Sequence, residues 1–164
     1  IRNKRMEYMK EKYRTVDDFA GAAPRKLASE IRAVGFYRQK ALSIVTSARI
    51  IRDKFGGKLP RTMKEMLLLR GVARKTANVV LGNAYGVVEG IAVDTHVRRL
   101  AQRLGFSAHD NPVKIEQDLM RLFSKKDWFK LTYVLIGHGR AICTARGRKC
   151  SICPVKDICP AALV

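Results

Sequence analysis

Apolar residues recur at helical spacing along almost the whole chain, and this regularity sets the fold class. From Tyr37 to Phe55, Ala41, Ile44, Val45, Ala48 and Ile51 fall on one side of a helix, and Gly56-Gly57 stops the run. Residues 2–13 are charged, with Met6 and Met9 on one side, and Pro24 opens a short helix that ends near Gly35. After Pro60 a helix covers 62–68. A tight break at Arg70-Gly71 follows, then a helix with Ala77, Val80, Leu81 and Ala84 on one face. Asp94 can cap the next helix, whose inner face is Val97, Leu100, Ala101 and Leu104. Asn111-Pro112 caps and starts another, with Ile115, Leu119, Leu122 and Phe123 turned inward. A last long helix runs over 127–142. The one strand-like piece, Val87–Val93, is interrupted by Gly90 and has no partner strand, so it reads as an extended connector. The pattern predicts an all-α, bilobed protein of about eight or nine helices. The connector marks the lobe boundary, giving helical lobes over 1–87 and 88–164.

Charge then narrows the partners. Thirty-three Lys and Arg stand against fourteen Asp and Glu, a net +19 with a pI near 10.3. The cations are spread through folded-looking segments and not gathered in a tail. Such a field attracts a polyanion and speeds its arrival, so nucleic acid is the expected partner. No apolar run approaches the roughly 20 residues of a membrane helix. The basic start of the chain reads as amphipathic, with no signal-peptide core. The expected compartment follows from the nucleic-acid partner: inside the cell where DNA is, in cytoplasm and nucleoid or in a nucleus.

The segment Leu67-Leu-Leu-Arg-Gly-Val-Ala-Arg-Lys-Thr-Ala77 reads helix, tight turn, helix. Gly71 permits a backbone geometry that a side chain blocks. The free N–H groups at the start of the second helix can bind a phosphate oxygen without reading sequence. An ordinary αα-hairpin gives the same pattern. Lys75 sits in the first turn of that second helix. A cation there opposes the helix dipole, which is poor design for stability but favours the neutral amine that a nucleophile needs. A solvated lysine or a phosphate contact is the plainer alternative. Asp94 follows nineteen residues later in Ile-Ala-Val-Asp-Thr-His96. As an N-cap its carboxylate accepts backbone N–H bonds and can orient a nucleophile or stabilise positive charge on a sugar; a plain N-cap is the simpler alternative. His96 and His138 either line a polar cleft or are satisfied hydrogen-bonders, and His109 reads as a loop residue.

The four cysteines, Cys143, Cys150, Cys153 and Cys159, are spaced C-x6-C-x2-C-x5-C at the end of the last helix and in the tail. Two disulfides suit a secreted chain better than this one. A structural zinc and a [4Fe–4S] cube both accept four thiolates, and spacing alone leaves the two open. The loop between the first two cysteines carries Arg146, Arg148 and Lys149, three cations that a bound metal would hold out as a phosphate clamp, or that simply keep a solvated loop clear of the core.

Three blocks, in order, resemble the endonuclease III family of helix-hairpin-helix DNA glycosylases and AP lyases. They are Leu69-Arg-Gly-Val-Ala-Arg-Lys-Thr-Ala-Asn-Val-Val-Leu-Gly82, then Ala92-Val-Asp-Thr-His-Val-Arg98, and Gly137-His-Gly-Arg140 followed by the four cysteines. The resemblance implies a bilobed helical fold with a helix-hairpin-helix over about 62–84 and a cluster loop over 143–159. It implies Lys75 as the Schiff-base nucleophile with Asp94 as its acidic partner, and Cys143, Cys150, Cys153 and Cys159 as ligands of a [4Fe–4S] cluster. It makes Gly71, Ala73, Arg70, Arg74, Arg146, Arg148 and Lys149 candidate DNA contacts. The implied activity is base excision of oxidised pyrimidines with β-elimination, by a monomer on damaged double-stranded DNA. The alternatives are a monofunctional mismatch or adenine glycosylase on the same scaffold, which typically lacks this lysine, and a non-catalytic DNA-binding module. Two positions depart from the family hairpin: Arg70 stands where Pro is usual and Ala73 where Gly is frequent. Ala73 keeps the phosphate grip only with a negative φ. The chain opens at Ile1 within what reads as a helix, and the family's front portion, with a glutamine-bearing stretch that fills the gap left by the extruded base, has no counterpart. An N-terminally truncated member is therefore expected.

Overall fold

A computed structural model describes Glu7, Met9 and residues 11–163. Among these residues the chain is helical and has no strand. The helix expected over 2–13 lies partly outside the described residues, although Glu7, Met9, Glu11 and Lys12 within it are helical. The chain divides into two compact units, 1–73 and 74–164.

In the first unit, α1 (Val16–Ala20) begins at Thr15, whose hydroxyl accepts from the Asp18 amide while the Asp18 carboxylate accepts from the Thr15 amide. Helix α2 (Pro24–Glu30) has its proline at the first turn, where no N–H is needed. Both pack on α3 (Tyr37–Phe55), which ends at Gly56 in the left-handed region. Leu27, Ala28, Ile31, Ala41 and Val45 form the core with Tyr13, whose hydroxyl donates to Glu30. Ile44, assigned to the inner face of α3 by its spacing, is instead among the exposed apolar residues. Helix α2 stops at Glu30, short of Gly35, because Ile31 leaves helical geometry to enter the core and the chain turns through 31–36. Helix α4 (Met63–Met66) is capped by Thr62 and buries Met63 and Met66.

In the second unit, α5 (Arg74–Tyr85) buries Ala77, Asn78 and Leu81. Ala84, expected on the same face, is exposed. Helix α6 (Thr95–Arg103) packs against α7 (Pro112–Leu122) and α8 (Trp128–Ala141). Val97, Leu100 and Ala101 from α6 meet Ile115 and Leu119 from α7 and Leu135 from α8. Each fully buried Leu or Ile contributes about 2 kcal/mol against its exposed state. Where α5 approaches α8, a Cβ at Gly82 would stand 2.5 Å from the Phe129 ring.

The connector Val87–Val93 has neither helix nor strand pairing. Its end is not a loose link: Ile91 and Val93 belong to the core of the second unit, and the Ala92 amide donates to Thr132 Oγ1. The chain divides after Ala73, earlier than the boundary expected at 87/88, because the connector is part of that core. No helix among the described residues is long and apolar enough to cross a membrane.

Candidate active site and cysteine-lined recess

The hairpin is built on a buried anchor and a left-handed glycine. Leu69 is buried, Val72 N–H donates to the Leu69 carbonyl, and Gly71 sits at φ 78°. Ser47 of α3 donates its hydroxyl to the Arg70 carbonyl at 3.0 Å. Phe36 is the one non-glycine residue with positive φ among the described residues, so Ala73 meets the condition its side chain imposes. Arg70, Gly71 and Ala73 are exposed, and α5 starts directly after them.

Lys75 lies in the first turn of α5, exposed and with no hydrogen-bond or ion-pair partner among the described residues. Its neighbour Arg74 is differently placed: Nε and Nη2 donate to the two carboxylate oxygens of Glu116 at 2.7 and 3.0 Å. That pairing, foremost its hydrogen bonds, raises the Arg74 pKa further. The guanidinium is thus engaged within the unit. Asp94 caps α6 through Oδ1, which accepts from the amides of His96 and Val97 at 2.8 and 2.9 Å. The carboxylate is fixed in place while remaining partly exposed. Lys75 and Asp94 belong to the same compact unit.

His96 Nδ1 lies 3.2 Å from Arg99 Nη2. His138 Nε2 lies 3.6 Å from the Cys153 sulfur, which places it at the cysteines. His109 is exposed, as a loop residue should be.

All four cysteines are free thiols and line one recess at the end of the chain. Leu104, Ile142 and Val155 supply its apolar walls, and Arg103 and His138 bring side-chain nitrogens to it. Short 3-10 turns, Cys150–Ile152 and Lys156–Ile158, bring Cys153 and Cys159 round to it. Arg103 Nη1 donates to the Cys143 sulfur at 3.3 Å and to the Thr144 carbonyl at 2.8 Å. Arg99 donates to the carbonyls of Gly139 and Cys143. Unpaired thiols with an arginine N–H aimed at one sulfur suit a group held by thiolates. Among the described residues no three His, Cys, Asp or Glu side chains are grouped to hold a single metal ion. The fit therefore rests on the shared recess and its donors. In the loop, Arg146 and Lys149 are exposed, whereas Arg148 donates to the Ala161 carbonyl at 2.9 Å and secures the tail.

Sequence reading alone passed over Glu116, Arg99, Arg103 and Phe36. Glu116 had a signal: an acid on the buried stripe of an amphipathic helix, one residue from Ile115. The two arginines look like ordinary charge on α6. Phe36 is the N-cap of α3 and is 85% exposed with φ 57°.

Comparison with known proteins agrees with this layout. The model for the HhH-GPD superfamily base excision DNA repair proteins matches residues 2–125. Endonuclease III of Synechocystis is 43% identical over 152 residues, covering 93% of this chain and 69% of the relative. Endonuclease III of Bacillus subtilis is 39% identical over 150 residues, covering 91% and 68%. A solved endonuclease III–DNA covalent intermediate, trapped as an estranged-adenine complex, superposes with a TM-score of 0.92 at 39% identity, over 97% of this chain and 75% of that one. A non-covalent endonuclease III–DNA complex gives 0.91 at 39% identity, over 97% and 74%. The chain belongs to the HhH-GPD superfamily of base excision DNA repair proteins and, within it, to the endonuclease III family.

Proposed function

We propose that this protein is a DNA N-glycosylase with AP lyase activity that removes oxidised pyrimidines from duplex DNA. The observation that carries the reading is an exposed lysine in the first turn of α5, without a partner among the described residues, with an N-capping carboxylate in the same unit. The net charge of +19 and the solved DNA complexes of its relatives support duplex DNA as the partner. The protein acts inside the cell, as a monomer.

The hairpin amides and the exposed Arg70 hold phosphates, and the damaged base leaves the stack at less cost than a sound one. The Lys75 amine forms a bond to the sugar C1′ as the bond to the base breaks, and the base leaves with a proton. Ring opening gives a Schiff base between Lys75 and C1′. Loss of a proton from C2′ then breaks the C3′–O bond and expels the 3′ phosphate. Water releases the sugar fragment and restores the amine. Asp94, fixed by two amides, offsets the positive charge on the sugar.

Cys143, Cys150, Cys153 and Cys159 are the ligands of a [4Fe–4S] cluster in this reading. When bound, the cluster ties the tail to the end of α8 and holds out Arg146 and Lys149. Visible absorbance with iron and sulfide content identifies it; a colourless protein with one zinc per chain refutes it.

Borohydride trapping on an abasic-site duplex tests the chemistry. A covalent adduct is expected from the protein and none from Lys75→Gln, which still binds the duplex. An adduct of equal yield from Lys75→Gln overturns the assignment. Binding without any adduct points instead to a DNA-binding module.

A further inference from the structure

Glu116 is an acid in an apolar place. It sits on α7 between core positions and is 3% exposed. Among the described residues its partners are Arg74, through both oxygens, and Asn78 Nδ2, at 2.8 Å. Arg74 and Asn78 are one turn apart on α5, and Lys75 lies between them. Glu116 also abuts the connector: a Cβ at Gly90 would run into Glu116 Oε1 and would stand 3.0 Å from Asn78 Nδ2. Four residues beyond Gly90 the same connector delivers Asp94.

We propose that Glu116 is a positioning residue that sets the register between the first turn of α5, which carries Lys75, and the connector that carries Asp94. The inference rests on Lys75 and Asp94 as the reacting groups proposed above. A buried ion pair is weak support for stability, because desolvation offsets most of the attraction. Its fork geometry is specific, however: two parallel bonds orient the guanidinium in plane and so fix the backbone that bears it. Gripping the helix at Arg74 and again at Asn78 blocks both rotation and sliding of that turn. The Lys75 side chain remains free to reach a substrate. Gly90 completes the arrangement, since only a residue without Cβ lets the connector close on the carboxylate. Among the described residues Asn78 Oδ1 is buried without a partner, and the one side-chain hydrogen bond of the amide is to Glu116.

The test compares wild type, Glu116→Gln, Gly90→Ala and Lys75→Gln in single-turnover borohydride trapping on an abasic-site duplex, with affinity measured on an uncleavable abasic analogue. Glu116→Gln and Gly90→Ala are expected to trap about a hundredfold more slowly, the scale of a misplacement near 1 Å, with affinity within about threefold of wild type. Wild-type trapping rates in both variants, below their melting temperatures, overturn the proposal even if stability falls. If Lys75→Gln traps as well as wild type, the underlying assignment of Lys75 fails, and the positioning role fails with it. Should Glu116→Gln not fold, Asn78→Ala decides the question, since it keeps the ion pair. About tenfold slower trapping at unchanged affinity supports the role, and an unchanged rate overturns it.

Discussion

Gly71 and Ser43 approach so closely that a Cβ at position 71 would stand 2.9 Å from Ser43 Oγ and 3.1 Å from Ser43 Cβ. The glycine at φ 78° is therefore required twice, by backbone conformation and by contact with α3. Gly71→Ala is expected to cost about 1–2 kcal/mol from the left-handed backbone, before any clash. Because the hairpin apex must shift, duplex affinity should also fall. Ser43→Gly in the same chain opens space for the new Cβ and should recover part of the affinity, but not the backbone strain. Denaturant unfolding and a duplex titration read the two effects separately.

Asp94 has two roles that substitution can separate. Asparagine caps helices about as well as aspartate, so Asp94→Asn should keep stability within about 0.5 kcal/mol. Its charge is gone, and single-turnover base release should fall at least about a hundredfold. Asp94→Ala loses the cap as well and should cost a further 1 kcal/mol or so in stability. Equal activity in wild type and Asp94→Asn would leave the residue a plain cap.

Much of this was legible in the sequence because helical periodicity and capping chemistry are local. Asp94 and Asn111 cap the helices their positions suggest, and Gly56 ends α3. What escaped depends on pairs far apart in the chain. Arg74 reads as one more surface cation until Glu116, buried on another helix, is seen to hold it. Arg148 likewise reads as a clamp residue until its bond to Ala161 appears. Leu119 and Leu122 share an apolar pattern on α7, yet Leu119 is fully buried and Leu122 is 59% exposed. Spacing gives the stripe, but the neighbours decide how wide it is.

The two arginines of the cysteine loop should behave differently. Arg146 is exposed, and Arg146→Ala should lower the slope of log affinity against log salt by about one. Arg148→Ala should leave the slope nearly unchanged and instead free the tail, seen as faster proteolysis after residue 148. Equal slopes for both variants would show that position in the loop, and not exposure, sets the phosphate contact.

Phe36 is the residue whose local cost most needs a reason. An aromatic ring at φ 57° and 85% exposure has both unfavourable backbone and unburied apolar surface. Strain of this kind persists where the surrounding structure over-determines it, and it clusters at binding and active sites. In a DNA-binding chain, an exposed ring at the start of a helix is suited to enter a base step and kink the duplex. Phe36→Gly removes the strain and the ring together. It should raise stability by about 1 kcal/mol while weakening binding to an abasic duplex about tenfold, a stability–function trade in one residue. Phe36→Leu keeps an apolar wedge and should restore most of the affinity without the stability gain. Stability and affinity that rise together in Phe36→Gly would remove Phe36 from the DNA interface and leave its backbone strain without a functional reason.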